Sequence, residues 1–272
     1  MKHIKLIFIF LLLSNSIFSQ NKNEERLEEG NLIVKSDPNK AITIFKEVIT
    51  KESDTSIIYA RALFNIAVTF SVKDDIDSTI FWYDKIIASN LNDRHPGIGF
   101  FETYACYHHN AAIQLAIYLF HKGKIEPALK YFNLAYTDYP YQSSSGTSIG
   151  KRNNTIEIWI ARCFMELNKF DQALLTLINS SCGCYTPMQN DIDNGIKNII
   201  IQNGRYKAFK KKIDKGLKKL ISIEDINHKI VGKRKAWKFN LYGGEIILCA
   251  QGSDTTKESV LKGIKKRSWY SK

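Results

Sequence analysis

Residues 109–140 read HNAAIQLAIYLFHKGKIEPALKYFNLAYTDYP, and this stretch decides the fold. Two apolar, Ala/Leu-rich segments flank a short polar turn, HKGKIE, the pattern of two helices joined head to tail. Ala116 is small, Ala128 twelve residues later is small, and Phe132 four beyond is large. Two antiparallel helices approach closely only where small residues meet at the crossing, and a large apolar residue one turn away fills the groove. The same spacing recurs without gaps in YARALFNIAVTFSVKDDIDSTIFWYDKIIASN from Tyr59, through Ala67, Thr79 and Tyr83. It recurs again in NTIEIWIARCFMELNKFDQALLTLINSS from Asn154, through Ala161, Ala173 and Leu177.

The stretch from His109 resembles a tetratricopeptide repeat (TPR). Leu115 and Ala116 stand at that family's Leu-Gly positions and Gly123 at its turn glycine. Ala128, Phe132, Ala135 and Pro140 match its Ala, aromatic, Ala and Pro positions. The stretch from Asn154 matches through Ile160, Ala161, Phe164, Phe170 and Ala173, and that from Tyr59 through Ile66, Ala67, Phe70 and Tyr83. A fourth unit lies upstream, in GNLIVKSDPNKAITIFKEVI, with its turn at Ser36–Asn39 and Ala41, Phe45 and Val48 on a second helix. Equivalent positions are spaced by 49 (67 to 116) and then 45 residues (116 to 161), against about 34 in a standard unit. The excess falls in RHPGIGFFETYACYH and SSSGTSIGKRN, so either the helices are longer or the loops are extended. Ala112 replaces the early aromatic of the first helix. The resemblance covers residues 24–187 and implies an all-α, TPR-like solenoid of antiparallel helix pairs; a generic array without a TPR-type groove is the alternative.

One more helix pair is expected in IDNGIKNIIIQNGRYKAFKKKIDKGLKKLIS, with its turn near Gly204. Its basic second helix suits a terminal pair, which shields the core of an array from water. Beyond Ile223 the pattern changes. Trp237, Phe239 and Leu241 alternate with Lys238 and Asn240, the period of a half-buried strand. The spacing predicts strands over Ala236–Tyr242 and Glu245–Ala250, with Gly243-Gly244 supplying a tight turn. A two-stranded hairpin is not stable alone, so it is expected to pack on the array or to pair elsewhere. The tail from Asp254 reads as a short basic helix or as disordered chain. The expected organisation is a signal peptide over 1–19, a helical array over 20–221, and a basic segment with a β-hairpin over 222–272.

The N-terminus MKHIKLIFIFLLLSNSIFSQ has a positive start, an apolar run from Leu6 to Leu13 and a polar, small-residue end, the order of a secretory signal peptide. The ending SIFSQ resembles signal peptides of Bacteroidetes-type bacteria, and no cysteine nearby supports a lipoprotein anchor. An exported protein of a Gram-negative envelope, periplasmic or associated with the outer envelope, is therefore expected. The net charge is +12, but residues 1–202 carry a net −1 and residues 203–272 a net +13. Such asymmetry assigns the last quarter a different partner or task. Lys207, Lys211, Lys215 and Lys218 fall on one helical face, a patch suited to an acidic protein or an anionic membrane surface. A solvated helix face explains the same stripe. Nucleic acid is not expected in an exported chain.

No G-x-S-x-G, P-loop or H-E-x-x-H motif is present, and no cofactor or metal is expected. The five cysteines are Cys106, Cys163, Cys182, Cys184 and Cys249; the odd number leaves at least one thiol free or paired between chains. Cys182-Gly183-Cys184 would suit a soft metal or disulfide exchange, but it lacks C-x-x-C spacing and a second cysteine pair, so a turn is the plainer reading. Cys106, His108 and His109 cluster before the second repeat, yet adjacent histidines diverge by about 100° on a helix. A helix-groove or capping role is expected for them rather than a zinc site. Glu102, Glu126, Glu157 and Glu166 have no nucleophile to serve. The leading expectation is a non-catalytic scaffold or adaptor that binds a protein or peptide, with Asn65 and Tyr107 on inner helices as contact residues. A toxin-neutralising or inhibitor protein, using the basic segment against an acidic partner, is the alternative; an enzyme built on Cys182 and Cys184 is a third.

Overall fold

Four helix pairs close through the same backbone turn. Asp74, Gly123, Asn168 and Gly204 each adopt a left-handed φ of 56–70° at the end of a first helix. The next residue donates its N–H five positions back, as in Asp75 to Phe70, Lys124 to Leu119, Lys169 to Phe164 and Arg205 to Ile200, at 2.7–3.1 Å. These bonds satisfy carbonyls that a helix end leaves without a partner. Asp and Asn tolerate the left-handed region better than other non-glycine residues, which is why the turn survives where no glycine stands. The turns lie 49, 45 and 36 residues apart, so the last spacing approaches that of a standard repeat.

The computed structural model describes residues 22–97, 103–181, 187–202, 204–228, 232–249 and 256–270. The signal-peptide reading, Glu102, and the Cys182-Gly183-Cys184 motif lie outside the described residues. The helices are α1 (22–33), α2 (Pro38–Lys51), α3 (Ile57–Val72), α4 (Ile76–Ile87), α5 (Tyr107–His121), α6 (Ile125–Thr137), α7 (Gly146–Glu166), α8 (Phe170–Ser181), α9 (Gln189–Gln202), α10 (Tyr206–Lys218) and α11 (Lys257–Lys265). Strands β1 (Ile221–His228), β2 (Gly232–Leu241) and β3 (Gly244–Cys249) lie between α10 and α11. This is a TPR-like array of helix pairs with a small antiparallel sheet at its C-terminal end. None of the described helices is long and apolar enough to cross a membrane. The chain divides into two compact units, one running to Tyr118 and the other from Leu119 to Lys272.

The small-and-large spacing marks core positions throughout. Ala67, Ala116, Ala128, Ala161, Ala173 and Thr79 are buried, as are Tyr83, Phe132 and Leu177. Thr79 keeps its hydroxyl satisfied by donating to the Asp75 carbonyl at 2.7 Å. Helix starts are capped locally: Asp37, Ser56 and Asp75 accept from the backbone N–H three residues on, each at 3.0 Å. The two long spacings have different causes. Before α5 the loop is extended, with a bridge between Pro96 and Tyr104. Before α8 the helix is long: α7 spans 21 residues and takes in most of SSSGTSIGKRN.

In the second unit the sheet and the helices share one core. Phe239, Leu241, Ile246 and Leu248 from β2 and β3 pack with Leu174 and Ile178 of α8, Ile196 and Ile200 of α9, and Phe209 and Ile213 of α10. The expected hairpin is a three-stranded meander in the order β1-β2-β3; the unforeseen strand is β1. Its turn is also placed differently. Tyr242 (φ 52°) and Gly243 (φ 79°) form the left-handed pair, while Gly244 is already in register opposite Leu241. Gly244 lies close to α8: a Cβ there would lie 2.1 Å from Leu175 Cδ2, so the end of that side chain would have to shift. The tail holds the expected helix, α11, whose Val260 and Ile264 join the same core with Trp269 beyond it.

Candidate functional site

The first helices of successive pairs, α1, α3 and α5, line a groove of about 310 Å³ in the first unit. Its apolar part is Phe64, Val68 and Tyr107; its polar part is Asn31, Asn65, Asn110 and Gln114, with Arg61 at one side. The structure thus brings together Asn65 and Tyr107, the two inner-helix residues singled out in the sequence. Asn65 donates to Asn31 Oδ1 at 2.7 Å, and Tyr83 OH donates to Gln114 Oε1 at 2.8 Å. Asn110 Nδ2 donates to the Ala105 carbonyl at 2.8 Å. Among the described residues, that leaves Asn65 Oδ1 and Asn110 Oδ1 as acceptors and Gln114 Nε2 as a donor toward the groove. Phe64 holds the base, with ring centroids 6.3 Å from both Tyr83 and Tyr107. Burial and, next, the nearby Asp93 push the Tyr107 phenol up to about 12, so it is a neutral hydroxyl, 3.4 Å from His95 Nδ1. Arg61 is held by Glu24 and Glu28 at 2.6 and 2.8 Å, so the rim around it is acidic.

The base of α5 is fixed by Asp93. Its Oδ1 accepts from the His108 backbone N–H at 3.1 Å and faces His108 Nδ1 at 2.8 Å. His108 Nε2 faces the Ser89 carbonyl at 3.0 Å. Both ring nitrogens therefore meet acceptors, and the Asp93 hydrogen bond raises the His108 pKa against the opposing effect of burial. Cys106, with φ 46°, precedes this cap as a buried cysteine outside any disulfide. Cys106, whose carbonyl accepts from the Asn110 N–H at 2.9 Å, and His108 thus serve the start of α5. Among the described residues, no three His, Cys, Asp or Glu side chains converge as a metal site needs.

A second groove, of about 540 Å³, lies between α7 and α9 in the other unit. Arg162 stacks on Trp159, 4.7 Å from the ring centroid, and Asn194 and Asn198 face them from α9. Sequence reading did not find these residues. The signal was available for Trp159: counted from Ala67, Ala116 and Ala161, it stands where Asn65 stands on α3 and Gln114 on α5. Glu157, on α7, points elsewhere. It accepts from Tyr136, Ser180 and Asn154 at 2.5–3.2 Å, and burial raises its pKa despite those donors.

The predicted lysine stripe is exposed on α10: Lys207, Lys211, Lys215 and Lys218 all face solvent. Lys215 lines a cavity of about 500 Å³ between the C-terminal half of α10 and β2, whose other cations are Lys212, Lys219 and Lys238. Cys249 is disulfide-bonded, and Cys163 is a free thiol that burial pushes up to about 11.

No family model matches the chain, and no curated protein matches it. Solved structures with similar arrangements are TPR or TPR-like proteins. PilF of Pseudomonas aeruginosa is 12% identical over 70% of this chain and 72% of its own, at a TM-score of 0.45. A Podospora anserina putative kinesin light chain with TPR-like repeats is 10% identical over 69% and 89%, at 0.46. YrrB, described as a TPR protein with an unusual peptide-binding site, is 12% identical over 70% and 84%, at 0.42.

Proposed function

We propose that this protein is a non-catalytic scaffold or adaptor that holds an extended segment of a partner protein in the groove of α1, α3 and α5. One observation carries the reading: free carboxamide acceptors and a donor on two neighbouring helices border an apolar base. An extended peptide has unsatisfied N–H and C=O groups along its length, and hydrogen bonds to them give grip while the base sorts side chains. Asn65 and Gln114 face the peptide backbone, and Tyr107 shapes the base. The N-terminal segment supports a site of action in the cell envelope, after export. A photo-crosslinking residue at position 65 in the native envelope tests both points. The expected product is an adduct with one segment of one envelope protein, absent when the crosslinker stands at Lys46 on the outer helix α2. Identical products from both positions would refute the groove.

A second reading rests on the net +13 of residues 203–272. In it the C-terminal segment engages an acidic protein, as an inhibitor or immunity-type protein does. The two readings use different units and are compatible.

A further inference from the structure

The cavity between α10 and β2 has a specific construction. Gly216 sits against Phe239: a Cβ at Gly216 would lie 2.2 Å from the ring. The Phe239 ring therefore packs directly on the α10 backbone at Gly216, and the side chains on either side of Gly216 become the walls of a cleft. Those side chains are Lys212, Lys215 and Lys219. Across the cleft stand Lys238, paired with Glu245 at 2.7 Å, and Tyr242, whose ring lies 4.1 Å below Lys212 Nζ. Glu245 is the one carboxylate among the lining residues, against four lysines. Ile221, 61% exposed, provides an apolar step at one end.

We propose that this cleft, rather than the Lys207/Lys211/Lys218 face of the same helix, binds a short acidic peptide segment that carries an apolar residue. The proposal rests on the second reading above and locates it. Three point charges in an arc suit several carboxylates at variable positions, since a lysine ammonium imposes no bidentate geometry. Low-dielectric walls concentrate the field of those charges in the cleft more than on an open helix face. The exposed Ile221 and the Tyr242 ring give the apolar residue a contact beside the charges, which a free phosphate does not use.

The test compares two triple variants with equal change in net charge. K212E/K215E/K219E alters the cleft; K207E/K211E/K218E alters the neighbouring solvent-exposed face of α10. The probe is a fluorescent, end-blocked peptide of alternating Glu and Leu, measured by anisotropy at low and physiological salt with the full-length mature protein. The expected result is salt-sensitive binding that falls roughly tenfold or more in the cleft variant and less than about threefold in the other. Equal loss in both variants overturns the cleft but leaves an acidic partner for the segment as a whole. No binding by the wild type, with both variants keeping their far-UV dichroism, overturns the acidic-partner reading too. Binding to phosphatidylglycerol vesicles that depends on the cleft, in place of peptide binding, overturns the choice of ligand.

Discussion

Trp269 stands three residues before the end of the chain, yet it is 2% exposed. Its ring meets Phe209 edge-on at 5.8 Å, and its indole N–H donates to Asp193 Oδ1 at 3.0 Å. The same oxygen accepts from Ser181 at 2.8 Å and Gln189 at 2.6 Å. Arg267 adds a bond to the Ser181 carbonyl at 2.9 Å. The segment after α11 is thus latched to the end of α8 and the first turns of α9. Two substitutions separate packing from hydrogen bonding. Trp269→Phe keeps most of the buried ring and removes the donor, leaving a buried acceptor with two of three partners; the expected cost is about 1–3 kcal/mol. Trp269→Ala also empties the ring's site, for which about 3–5 kcal/mol is usual. Urea unfolding followed by far-UV dichroism reads both, and the slope with denaturant should stay unchanged. A cycle with Asp193→Ala isolates the bond: a coupling energy on the order of 1 kcal/mol is expected. If Trp269→Phe is neutral and the coupling is nil, the latch does not hold and the tail contributes by apolar contact alone.

Three further outcomes follow from particular contacts. His108 has its pKa raised in the fold, so its contribution is complete below the unfolded value of about 6.5 and is lost as pH climbs through the higher folded value. The urea midpoint of the first unit should therefore drop between pH 6 and pH 8.5, and His108→Gln should flatten that slope; an unchanged slope would exclude His108 as its source. Gly216→Ala forces the Phe239 ring to move, since that ring is itself buried, and should cost about 1–3 kcal/mol and widen the α10–β2 cleft, read as weaker binding of the acidic probe. Alkylation with mass mapping should label Cys106 and Cys163 only after unfolding and Cys249 only after reduction; labelling of Cys249 without reductant would contradict its disulfide.

How much of this was readable from sequence depended on whether a residue's role is set by its own helix pair. The Ala161, Ala173 and Leu177 spacing reports a contact within one hairpin, so it identified the array at once. The turn of α7 and α8 was readable for the same reason, although Asn168 replaces glycine. The first groove was half readable. Asn65 and Tyr107 stand out on inner helices, but Asn110 and Gln114, on the same helix as Tyr107, carry no distinguishing period, and Asn31 joins Asn65 from a helix 34 residues earlier. Strand β1 was missed because ISIEDINH breaks its alternation at Glu224-Asp225, where the pairing register itself shifts between Ile223 and Ile226. Trp269 gave no signal because a lone aromatic in a basic tail has no period.

The lysines of α10 show what a helical wheel omits. Spacing alone groups Lys207, Lys211, Lys215 and Lys218 into a stripe, and that stripe is real and exposed. It does not say which side of the helix faces the sheet. Gly216 does, because a residue without a side chain is where another element can come closest. Residues one turn before it and one turn after it then flank the contact, which selects Lys212 and Lys219, with Lys215 adjacent. The rule that located the helix crossings through Ala67, Ala116 and Ala161 applies here with glycine in place of alanine. Applied to KKKIDKGLKK, it moves the functional face of the helix by one residue and turns a diffuse stripe into a cleft with walls.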